Sequence, residues 1–173
     1  GTSDYGIAIA GADTQVLWLS SAADNTDAAN GIAFGSSRDT NLYRSAANTL
    51  KTDDAFVSTS ATGGIGYATG AGGTVTQATS KSTGVTLNTV SGQITMHNAA
   101  LGNNTEAVFT LTNSAIAAND VVVVSIKSGA TAGAYTMGVT ATAAGSCGIV
   151  LSNISGGSLS EAVVLNFVVI KGV

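Results

Sequence analysis

Side chains able to do acid–base, nucleophilic or metal chemistry are few in this chain, and their spacing points away from catalysis. His97, in "ITMHNAA", is the only histidine, and Cys147, in "GSCGIVLSN", is the only cysteine. A Ser-His-Asp or Cys-His arrangement would have to be built on that one imidazole. A zinc site needs three or four close Cys, His or carboxylate ligands, and one of each falls short. His97 is expected at a strand end as a solvated or hydrogen-bonded side chain. Cys147 reads as a small buried strand residue, because a reactive thiolate needs a basic neighbour. A single cysteine also excludes an intrachain disulfide framework.

The carboxylates are Asp4, Asp13, Asp24, Asp27, Asp39, Asp53, Asp54, Glu106, Asp120 and Glu161, and seven of them precede residue 55. A calcium site among those seven would call for a D-x-[DN]-x-[DN]-G loop, and none occurs. The stretches "DNTD" (24–27) and "TDD" (52–54) read as turns. Glycosidase chemistry needs two carboxylates across a groove, and beyond residue 55 only Glu106, Asp120 and Glu161 remain. The glycine run "GAGGT" lacks the Gly-Lys-Ser/Thr ending of a phosphate loop and opens no helix. No catalytic, cofactor-binding or metal-ligating residue is expected, and the chain reads as a non-enzyme. Asn103-Asn104-Thr105 and Asn153-Ile154-Ser155 fit the loose N-glycosylation pattern.

Composition narrows the partners. Only 9% of the 173 residues are charged, against about 25% in ordinary soluble domains, while 45% are hydrophobic. So little charge predicts that the chain hides surface in an oligomer. Nucleic-acid binding needs clustered cations, whereas Arg38, Arg44, Lys51, Lys81, Lys127 and Lys171 are scattered. The longest apolar runs, at 121–124 and 167–170, are strand-sized and far below the roughly 18 residues of a membrane span. The opening "GTSDYG" carries no initiator Met, which suggests a processed or truncated start with an anchoring N-terminal region missing.

The elements that must position these residues are strands. Proline is absent, β-branched residues dominate the apolar runs, and Gly, Ala, Ser and Thr abound. The stretch 63–73, "GGIGYATGAGG", holds six glycines in eleven positions and reads as a hinge. After it come eight strand-like runs, at 74–79, 83–88, 92–98, 105–113, 120–127, 134–142, 146–153 and 161–171, separated by turn-rich pieces. Eight short strands predict an antiparallel sandwich, jelly-roll-like, over 74–173. In 105–113 the alternation is clean, with Ala107, Phe109 and Leu111 on one face and Glu106, Val108 and Thr110 on the other. In the last run it fails. Val163, Leu165, Phe167 and Val169 share one face, and Val164, Val168 and Ile170 share the other with Asn166. A strand apolar on both faces is buried on both, which predicts a neighbouring subunit over the second face.

Before the hinge, residues 1–62 repeat a pattern. Gly6-Ile7-Ala8-Ile9 matches Gly31-Ile32-Ala33-Phe34, and Leu17-Trp18-Leu19-Ser20 matches Leu42-Tyr43-Arg44-Ser45. Asp13-Thr14 and Asp39-Thr40 match with one residue of slack. Repeated units of this length stack because none buries an apolar face alone. Two copies are too few for a single-chain solenoid, so intertwining with further copies of the chain is expected. Tyr5, Trp18, Phe34, Tyr43, Phe56 and Tyr67, six of the nine aromatics, fall here or in the hinge and would pack inside such a shaft.

The stretches "DTNLYRSAANTLKTDDAF" and "GYATGAGGTVTQATSKSTGVTLNTVSGQITM", with the ending "GSLSEAVVLNFVVIKGV", resemble segments of structural proteins of tailed bacteriophages. The resemblance covers most of residues 31–173 and carries no catalytic motif. It implies an all-β homotrimeric fibre or appendage of the virion, with an intertwined β shaft followed by a β-sandwich head. Either a tail fibre that touches the host or a capsid fibre or decoration protein fits, joined to other virion proteins through its N-terminal region. The contact loops would be "AALGNN" (99–104), "SGATAGA" (128–134) and "NISGGS" (153–158), facing a host glycan or protein. Asp39, Arg44, Lys51, Asp53 and Asp54 would pair between chains of the shaft. A carbohydrate-binding or depolymerising module, and a bacterial surface-layer or adhesin fragment, are the other classes compatible with the composition.

Overall fold

The computed structural model describes residues 32–34, 40–68 and 70–172, and divides the chain into two compact units, 1–64 and 65–173. In the first unit, β1 (Ile32–Phe34), β2 (Thr40–Ala46) and β3 (Thr49–Lys51) form an antiparallel sheet in that order. The tight turn between β2 and β3 puts Asn48 at φ 59°, a left-handed conformation that Asn tolerates because its short side chain can bond locally. Tyr43, buried on β2, donates its hydroxyl to Asp53 at 2.9 Å, and the Lys51 ammonium lies 3.5 Å from the same carboxylate. Asp54 accepts the Asn41 backbone N–H at 3.0 Å.

The second copy of the repeat therefore folds as consecutive hairpins within one chain. Lys51, Asp53 and Asp54, expected to pair between chains, are engaged within it, because a turn after β3 brings the two aspartates back to β2. Asp39 and the first copy of the repeat, at 6–25, lie outside the described residues.

The second unit holds the eight expected strands: β4 (Gly72–Thr76), β5 (Val85–Thr86), β6 (Ser91–Thr95), β7 (Thr105–Thr112), β8 (Val121–Ser128), β9 (Tyr135–Ala143), β10 (Ser146–Asn153) and β11 (Val164–Ile170). They form two four-stranded sheets, β5-β7-β10-β9 and β4-β6-β11-β8. Ala107, Phe109, Leu111, Cys147, Ile149 and Leu151 from the first meet Ile94, Val122, Leu165, Phe167 and Val169 from the second in one core. That is a two-sheet sandwich, with inward residues alternating along each strand.

One expectation needs correcting. A jelly roll pairs its strands antiparallel, whereas β4 runs parallel to β6 and β5 parallel to β7, so both sheets are mixed. The connection from β4 to β6 passes through β5 of the other sheet, and that from β5 to β7 passes through β6, so each parallel pair is joined by the crossover that parallel pairing requires.

Polar side chains tie both ends. At one end Asn113, fully buried after β7, donates to Thr89 O at 2.7 Å and accepts from Ala115 N at 2.9 Å. Asp120 there accepts from Ala117 N at 2.7 Å, Gly172 N at 3.0 Å and Lys171 Nζ at 2.5 Å. Those bonds, the Ala117 amide first and Lys171 next, hold the Asp120 carboxyl down at about 2. The Tyr67 hydroxyl donates to Val169 O at this end, so the chain enters the sandwich here and runs on into β4.

Candidate functional site

The register places the starts of β7 and β9 beside the end of β10, with Thr105 and Tyr135 both opposite Asn153. In the other sheet Thr95, Val164 and Ser128 lie side by side at the same end. The three turn-rich segments 99–104, 128–134 and 153–158 consequently meet at one end of the sandwich, opposite the end where the chain enters.

Asn153 is the centre of that end. It is fully buried and donates its amide to Leu101 O and to Gly157 O, both at 2.8 Å. Its Oδ1 accepts from Ser155 N at 2.9 Å and from Ser155 Oγ at 2.7 Å, an Asx turn of the kind that Asn favours. Leu101 and Leu159 exchange backbone hydrogen bonds at 2.9 and 3.1 Å, and Ile154 N donates to Ala134 O at 2.9 Å. Each loop is thus bonded to the next.

The floor under the loops is a polar chain. Gln77 donates to Lys81 O at 2.9 Å and to Thr83 O at 2.8 Å, and accepts His97 N at 3.0 Å. The buried Lys81 ammonium donates to His97 O at 2.7 Å and to Glu161 O. Burial pushes its pKa down. The Glu161 carboxylate accepts from Thr131 Oγ1 at 2.6 Å and from Thr131 N at 3.2 Å, and the Thr131 bonds pull its pKa below the usual range. Gly129 has φ +75°, and a Cβ there would stand 2.5 Å from Ala162 O. Only glycine lets loop 128–134 approach the strand end so closely.

Above this floor the exposed residues include Asn98, Asn103, Asn104, Thr131, Ile154 and Ser158, with Glu106 close by. The surface offers amide and hydroxyl groups on a hydrogen-bonded base.

The other sequence-selected residues fall elsewhere or are already occupied. His97 sits just after β6 and accepts Ala99 N on Nδ1 at 3.0 Å. Cys147 is buried on β10, where burial raises its thiol pKa. Glu106 accepts Ser152 Oγ at 3.2 Å near the loop end, while Asp120 lies at the opposite end, so these two carboxylates do not face each other across a groove. No cluster of three or more His, Cys, Asp or Glu occurs among the described residues. Asn153 cannot act as a glycan acceptor, because its amide is buried and fully engaged; Asn103 is exposed. Nothing in the sequence singles out Gln77, or Lys81 from the other scattered cations, because a lone lysine in a Ser/Thr-rich turn carries no signal of burial. No protein-family model, curated protein or solved structure matches the chain.

Proposed function

We infer that this chain is a non-enzymatic structural protein of a tailed-phage virion, a homotrimeric fibre or appendage whose sandwich head contacts the host surface. The observation that carries the reading is the convergence of loops 99–104, 128–134 and 153–158 at the end of the sandwich furthest from where the chain enters it. A binding surface on such a fibre belongs at the free end of its head, and loops on a rigid scaffold commonly carry recognition. The partner at that end is a host glycan or protein, met through the amides and hydroxyls of Asn103, Asn104, Thr131 and Ser158. The N-terminal region joins the fibre to other virion proteins.

The test is adsorption of particles carrying a chain whose three loop tips are replaced by Gly/Ser of equal length, with Leu101, Asn153 and Gly129 retained. Assembled particles that fail to adsorb to the host are expected. Adsorption at the normal rate would overturn host contact through these loops.

A further inference from the structure

The outer face of the β4-β6-β11-β8 sheet is built unevenly. Outward-pointing residues form rows across the strands, and one row reads Val123, Val168, Ser91, Gly72. The row toward the loop end reads Ser125, Asn166, Gln93, Thr74, and toward the entry end Val121 lies opposite Ile170. The β8/β11 half is thus a raised apolar cluster, with Val121, Val123 and Ile170 exposed at 57%, 45% and 53%. The β4/β6 half is a hollow of about 530 Å³ lined by Gly72, Thr74, Ser91, Gln93 and Asn166. Side chains fall from two valines to none along a single row.

We propose that this face is the contact between copies of the chain, the Val121/Val123/Val168/Ile170 cluster of one copy seating in the Gly72/Ser91/Thr74 hollow of the next. The inference rests on the trimeric reading above. Two observations favour a second copy as the occupant. The four strands carry one charged residue, Lys127, and it lies by the register shift at the loop end of β8, so like faces meet without the repulsion that chains of net charge −4 would otherwise feel. The amides of Asn166 and Gln93 both donate and accept, and so can pair with their own kind.

In a trimer the raised half of each copy meets the hollow half of the next head-to-tail around a ring, whereas a two-fold pairing of the same face would seat both halves at once and stop at dimer. The outer face of the other sheet offers less, with Val108 beside Val150 as its apolar pair and Glu106 close by.

The test is cross-linking of the 173-residue chain with Val123→Cys and Thr74→Cys together, using a short-arm bismaleimide read on a denaturing gel. The one native thiol, Cys147, is buried. Thr110→Cys with Thr136→Cys, exposed on the other sheet, is the control. Covalent trimer from the first pair and single chains from the control are expected. Single chains from the first pair, in protein whose native mass is trimeric, would overturn this face while leaving the trimeric reading intact. Products that stop at dimer would overturn the three-fold ring. A native mass of one chain would instead defeat the trimeric reading itself.

Discussion

Two buried asparagines close the ends of the sandwich by the same device. Asn113 just after β7 and Asn153 at the end of β10 each accept an amide two residues on and donate across to a carbonyl from a distant segment. Removing the Asn153 side chain deletes its four hydrogen bonds, to Leu101 O, Gly157 O, Ser155 N and Ser155 Oγ, each worth about 0.5–1.5 kcal/mol net, while Leu101 O keeps Leu159 N and Gly157 O keeps Ser155 Oγ. Asn153→Ala should therefore lower the unfolding free energy by about 2–4 kcal/mol in urea titration. Asn103→Ala, on the exposed tip of the same end, should stay within about 0.5 kcal/mol of wild type. Asp120 makes a different prediction. Its folded pKa, about 2, lies below the ordinary Asp value of about 3.9, so its contribution is complete above about pH 5 and is lost as pH falls toward 2. Asp120→Asn should flatten that part of the acid limb of stability against pH, and an unchanged limb would show that Lys171 and the Ala117 and Gly172 amides do not favour the ionised carboxylate.

At the scale of elements, β11 has two faces with two roles. Phe167 points inward with Leu165 and Val169, so Phe167→Ala should cost about 3–5 kcal/mol, read as a lower urea midpoint. Much of this arrangement is legible in the residues themselves. The alternation of Ala107, Phe109 and Leu111 against Glu106, Val108 and Thr110 places β7, and turn-rich pieces separate the eight strands of the head. The double apolarity of β11 is legible too: its inner face is buried, and Val164, Val168 and Ile170 remain partly or well exposed on its outer face. The parallel pairings of β4 with β6 and β5 with β7 are not legible, because strand period fixes which face a residue takes but not which neighbour a strand takes. The convergence of the loops is equally hidden. It depends on bonds between residues 52 and 80 positions apart, Asn153 to Leu101 and Lys81 to Glu161, each made by one polar side chain with nothing local to mark its partner. In the first unit the charges of "LYRSAANTLKTDD" were legible as a structured element, but their intrachain use follows from a turn that returns Asp53 and Asp54 to β2.

For the whole molecule, the sparse charge, the exposed valine cluster on one sheet and the loop-bearing free end are accounted for together if three copies stand side by side with their loops pointing the same way. A lone chain would leave Val121, Val123 and Ile170 in water beside a hollow that nothing fills, and exposed contiguous apolar patches of this kind mark interaction sites. The measurement that bears most directly on this account is the absolute mass of the chain in solution, by light scattering behind a sizing column over a dilution series. The account predicts three times 16.9 kDa, held on dilution. A mass of 16.9 kDa at every concentration would contradict it.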